Sequence, residues 1–131
     1  LMYLRASNGI YFEVGGTSTN IGGIKNGRPA VEYSVVGGHR TYVNSLDVIV
    51  LGVAGGSMVR ASDHKLVDVG PRSAHIGGLS YAVYTPEEEI VDPQLEFFSP
   101  KEGDPDDYVR IKLANGKRVT LTNSCAANIL G

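Results

Sequence analysis

Cysteine is nearly absent from this chain: Cys125 stands alone among 131 residues, so no internal disulfide is available, as in proteins of a reducing compartment. Its best reading is a small buried residue at the start of a helix. An excess of either charge is also lacking. Twelve Lys and Arg stand against 14 Asp and Glu, a formal net charge of -2, and no basic cluster is denser than Lys117-Arg118. That excludes the electrostatic footprint of a nucleic-acid binder. Long apolar runs are missing too. The longest, such as residues 48–54, fall far short of the roughly 20 residues that cross a bilayer, and no signal-peptide pattern opens the chain, so a cytoplasmic location without a membrane partner is expected. A hydrophobic share of 42% at this length predicts a single soluble domain. The chain begins at Leu1 and stops at Gly131, directly after what reads as the opening turns of a helix; an excised part of a longer polypeptide is the expectation.

Glycine is what the chain has in quantity, 17 residues with five Gly-Gly pairs at unequal spacings, so no repeat is read. Residues 1–6 are expected to end a helix at Ser7-Asn8-Gly9. Strands are predicted at residues 9–14, 19–25 and 30–36, a three-strand meander with Asn26-Gly27 as a type I′ turn. Gly37-Gly38 is expected to break it. A short extended piece at residues 39–43 precedes the Val- and Ile-rich run 46–53, predicted to be a central strand covered on both faces. A hairpin is predicted from residues 58–62 and 65–69 across Asp63-His64, followed by a loop over residues 70–80. Residues 86–107 hold four of the six prolines and nine of the 14 acidic residues, a composition that predicts an exposed, irregular segment. A last hairpin at residues 108–113 and 117–122 leads to a terminal helix capped by Asn123 or Ser124. The fold class is thus α+β and β-rich, a mixed sheet with glycine-turn hairpins.

The strongest functional signal lies at Glu13-Val14-Gly15-Gly16-Thr17-Ser18-Thr19-Asn20. Alternation places Glu13 opposite Phe12 at the end of an apolar strand. Gly15 and Gly16 permit a turn with φ > 0 that brings backbone N–H groups close to an anion, and Thr17, Ser18 and Thr19 add hydroxyls. An ATP site needs such donors around the phosphates and a carboxylate for Mg²⁺. An ordinary β-turn whose hydroxyls satisfy their own backbone is the competing reading. Gly55, Gly56 and Ser57 end an apolar strand where a nucleotide could approach, or form a tight turn between strands. His39, His64 and His75 lack metal-ligand spacing, and Asp104, Asp106 and Asp107 read as an acidic surface turn rather than a calcium site.

The segment at residues 13–20 resembles the Asp-Met-Gly-Gly-Thr-Ser-Thr-Asp segment of the hydantoinase A and 5-oxoprolinase family. Gly52-Val53-Ala54-Gly55-Gly56-Ser57 is similar to its Gly-Ala-Gly-Gly-Gly-Ser, and Val69-Gly70-Pro71-Arg72-Ser73-Ala74 to its Val-Gly-Pro-Glu-Ser-Ala, in the same order. Leu46-Asp47-Val48 also matches, and Thr120-Leu121-Thr122-Asn123 is a looser match to Thr-Val-Thr-Asp. The resemblance implies one lobe of an actin-like, sugar-kinase-like ATPase fold that hydrolyses cyclic amides with ATP and Mg²⁺. It implies as partners the other lobe of the same chain, which would carry the first phosphate hairpin, and a second subunit. Residues 13–20 would form the second hairpin, with Glu13 as the metal ligand and Gly55, Gly56 and Ser57 also facing the nucleotide. Glu13 and Asn20 both stand where the family has Asp, and the loop after Ala74 lacks Pro-Gly-Pro-Ala-Cys-Tyr. A nucleotide-binding or regulatory module without catalysis, or a purely structural β-domain, is therefore kept beside the enzyme reading.

Overall fold

The structure, a computed structural model, describes residues 6–131. The helix end expected at residues 1–6 lies outside the described residues except for Ala6, which is in coil. The described chain divides into two compact units. The first is formed up to Val14 and by Thr19–Leu51, the second by Gly15–Ser18 and Gly52–Gly131.

In the first unit, β1 (Gly9–Val14) and β2 (Thr19–Lys25) form at the predicted bounds and pair antiparallel, from Gly9 opposite Ile24 to Val14 opposite Thr19. Asn26 and Gly27 both have positive φ, as a type I′ turn requires. The return strand β3 (Arg28–Pro29) is only two residues long. The Ala30 N–H still donates to the Gly23 carbonyl at 2.8 Å, and the chain then leaves the sheet. The expected third strand instead forms β4 (Val31–Val36), paired in a separate two-stranded sheet with β5 (His39–Leu46). Gly37-Gly38 is the reversal between them, both residues at positive φ, rather than a break in regular structure.

The run predicted to be central and doubly covered is β6 (Val48–Leu51), which pairs with β2 alone. Ile49, Val50 and Leu51 are exposed, so among the described residues it is an uncovered edge strand. Ile10, Phe12 and Val14 share one exposed sheet face with Ile49 and Leu51, by register across β2. Gly22 is the buried residue of this sheet, because the Tyr11 ring lies where a Cβ would project.

The second unit has a true core. Strands β7 (Ser57–Ser62) and β8 (Lys65–Ser73) form the predicted hairpin, Asp63 and His64 both taking positive φ at its turn. β8 runs on to Ser73, through residues expected to be loop. Next come β9 (Ser80–Tyr81), two 3-10 turns at Ala82–Tyr84 and Glu87–Glu89, and β10 (Gln94–Phe98), a strand inside the segment expected to be irregular. Pro93 and Pro100 flank β10 without interrupting it. β10 pairs antiparallel with β11 (Tyr108–Lys112), which pairs antiparallel with β12 (Arg118–Thr120). The β12–β9 pair is parallel, so this sheet is mixed. The helix α1 (Asn123–Leu130) closes the chain.

Thr122, extended at φ -136, is the N-cap of α1 in place of the expected Asn123 or Ser124. Its N–H donates to the Cys125 Sγ at 3.4 Å, and Cys125 is buried at the helix start as predicted. The core gathers Met58, Ala74 and Tyr108, with Leu79, Tyr81 and Phe98 packed against them. Tyr108 donates its buried hydroxyl to the Gly70 carbonyl at 3.1 Å, and Thr120 donates to the Val109 carbonyl at 2.7 Å. Two of the three acidic residues near Pro105 pair with arginines: Asp104 accepts from Nε and Nη2 of Arg72, and Asp107 accepts two bonds of 2.8 Å from Arg60. Among the described residues no helix is long and apolar enough to cross a membrane.

Candidate functional site

Residues Gly15–Ser18 turn between β1 and β2 yet belong to the second unit. The Gly15 N–H donates to the Ser18 carbonyl at 3.0 Å. The Gly55 N–H donates to the Gly15 carbonyl at 3.2 Å, and the Gly56 N–H to the Gly16 carbonyl at 2.9 Å. A hydroxyl pair, Thr17 and Ser73 at 2.9 Å, fixes the other end of the turn; Ser73 is fully buried. The turn is thus anchored through its carbonyls and one side chain, and its donors are left over. None of the N–H groups of Gly16, Thr17 and Ser18 donates a hydrogen bond among the described residues, nor does the Ser18 hydroxyl. Gly15 and Gly16 are exposed, and successive unengaged amides of this kind concentrate partial positive charge.

Glycine is used here for space rather than for φ. Neither Gly15 nor Gly16 has the positive φ that the sequence predicts. At Gly56, by contrast, a Cβ would overlap the Tyr81 hydroxyl and come within 2.5 Å of the Gly16 carbonyl oxygen. The close approach of the two Gly-Gly segments depends on that missing carbon.

The predicted nucleotide contacts at Gly55, Gly56 and Ser57 take supporting positions in the structure. Both glycine N–H groups are spent on the turn, and the fully buried Ser57 hydroxyl accepts the Ala54 N–H at 2.8 Å. The start of α1 holds this segment from behind. Ser124 donates to the Gly55 carbonyl through both its N–H (2.8 Å) and its hydroxyl (2.9 Å), and Asn123 Nδ2 donates to the Ala54 carbonyl at 3.0 Å. Ser73, Tyr81 and Ser124 were not picked out from sequence as site residues. The first and last sit in or beside matched motif segments, but nothing in their own neighbourhoods signals the contact.

In the first unit, Glu13 and Asn20 are direct cross-strand partners, and Asn20 Nδ2 donates to Glu13 Oε2 at 2.9 Å. Thr19 pairs with Val14 on one side of β2 and with Leu51 on the other. His39 opens β5, His64 lies in the β7–β8 turn and His75 in the following loop. Among the described residues no group of three or more His, Cys, Asp or Glu side chains is placed to hold a metal ion.

No curated protein and no solved structure matches the chain significantly. The hydantoinase/oxoprolinase family model matches residues 1–131 of the chain, which include the segments that build and brace the glycine turn. The chain therefore belongs to the hydantoinase/oxoprolinase family.

Proposed function

We propose that this chain supplies a phosphate-binding turn to an ATP-dependent enzyme that hydrolyses cyclic amides such as hydantoins or 5-oxoproline. One observation carries the reading: a braced, partly exposed turn whose Gly16, Thr17 and Ser18 amides have no acceptor among the described residues. Pre-positioned donors of this type stabilise phosphate oxygens without the cost of ordering them on binding. Family membership supplies the substrate class. A ring amide is a poor electrophile, and transfer of a phosphoryl group to its oxygen makes the carbonyl carbon susceptible to water. The fold so implied is one lobe of an actin-like ATPase, completed by another lobe of the same chain and joined by a second subunit.

Magnesium carried by nucleotide phosphates keeps several waters and needs one or two carboxylates. Glu13 fits that modest demand, since Asn20 engages only Oε2. The supporting test is calorimetric titration of the full protein with ATP and Mg²⁺. Ser18→Ala should weaken binding by about 0.5–1.5 kcal/mol, the net worth of one hydrogen bond. Gly16→Asp, which sets a carboxylate against the phosphates, should abolish it, and unchanged affinity in both variants would sink the assignment. The neutral Asn20 where relatives carry Asp favours a second reading, a nucleotide-binding module without turnover. Binding of ATP with no release of phosphate in the presence of cyclic amides would select it.

A further inference from the structure

Tyr81 ends β9, where the parallel register sets it beside Thr120 of β12. Its ring centroid lies 5.5 Å from that of Tyr84, and the side chain packs at the margin of the Met58, Ala74 and Tyr108 core. Those contacts fix where the phenol ends. Its oxygen occupies the place of a Cβ on Gly56 and lies 3.7 Å from where a Cβ on Gly16 would sit. Among the described residues this hydroxyl has no hydrogen-bond partner, and because no buried polar side-chain atom is left unpaired, it is reached by solvent. A phenol with its ring packed and its oxygen wet is disposed to bind something at that oxygen. Here it adjoins the glycine turn, in which three amides are unengaged among the described residues.

We propose that the Tyr81 hydroxyl donates a hydrogen bond to phosphate oxygens held at residues 16–18, whether these belong to a nucleoside triphosphate or to free phosphate. The proposal rests on the phosphate-turn reading above and adds a residue to it. It also gives Gly16 and Gly56 a shared purpose, since a side chain at either would stand beside or displace the phenol oxygen.

The test compares the full wild-type protein with Tyr81→Phe and Ser18→Ala by calorimetry, using Mg-ATP, inorganic phosphate and adenosine as separate probes. Phe keeps the ring and removes only the oxygen. Tyr81→Phe should raise the Kd for Mg-ATP about two- to tenfold, the range for one hydrogen bond, with adenosine binding and the melting temperature unchanged. A parallel loss for inorganic phosphate identifies phosphate itself as the ligand; a loss confined to Mg-ATP identifies the nucleotide's phosphate chain, and either supports the proposal. Equal weakening toward adenosine overturns it in favour of a packing role. Unchanged Mg-ATP affinity in Tyr81→Phe, with weakened binding in Ser18→Ala, overturns the role of Tyr81 and leaves the turn standing. A wild-type protein that binds neither ATP nor phosphate overturns both.

Discussion

Glu13 and Asn20 face each other across β1 and β2, and the charge of that pair can be altered one member at a time. Glu13→Ala should weaken Mg-dependent ATP binding by more than about 1 kcal/mol, the scale of a charge-assisted contact. Asn20→Asp should tighten Mg²⁺, while in metal-free buffer two carboxylates directly opposite cost about 0.2–1 kcal/mol of stability. Magnesium titrations and thermal melts with and without the ion check both. Gly56→Ala is a separate matter of space: the methyl meets the Tyr81 hydroxyl and the Gly16 carbonyl, so a loss of about 1–3 kcal/mol is expected in denaturant melts. The motif at residues 13–20 was readable because its glycines, hydroxyls and carboxylate are adjacent in the chain. Its supports were not, since Thr17 meets Ser73 across 56 positions and local spacing carries no record of such a meeting.

At the level of strands, turns carried most of the legible information. Asn26-Gly27 and Asp63-His64 mark reversals by residue type, and both pairs adopt the positive φ those turns need. Strand β10 was hidden by the acidic and proline-rich residues around it, although its stabilising partners are charged: Glu96 accepts from Arg110 at 2.8 Å and from Arg118 at 2.9 Å. The fate of residues 30–36 was illegible for another reason. Their apolar pattern suits a strand, but the sheet they join is decided by the partner β5, which lies further along the chain. The β11–β8 contact offers a test at this scale. Tyr108→Phe leaves the buried Gly70 carbonyl without its donor and should destabilise the second unit by about 1 kcal/mol, seen as faster amide exchange in β8 and β11.

For the whole molecule, acid is the informative perturbation. The Arg72 guanidinium holds Asp104 below its ordinary 3.8, Arg60 does the same for Asp107, and hydrogen bonds from Arg118 and then Arg110 hold Glu96 below 4.5. A carboxylate with a lowered folded pKa adds stability that is complete above the unfolded value and disappears as pH falls through the folded one. Melting temperature should therefore hold steady from pH 7 to about 5 and fall below about 4, less steeply for Asp104→Asn, with salt shrinking the effect because these pairs are partly exposed. The loss should fall on the second unit, where all three carboxylates lie. Among the described residues the first unit has no comparable core; Phe12 is 66% exposed and Tyr42 fully so. The route of the chain adds a consequence for dissection. It crosses from one unit to the other after Val14, Ser18 and Leu51, so a single proteolytic nick cannot part them covalently. A fragment begun at Gly52 would lose the carbonyls of Gly15 and Gly16 and strand two amide donors, so the second unit cannot be excised cleanly by cutting at its longest boundary.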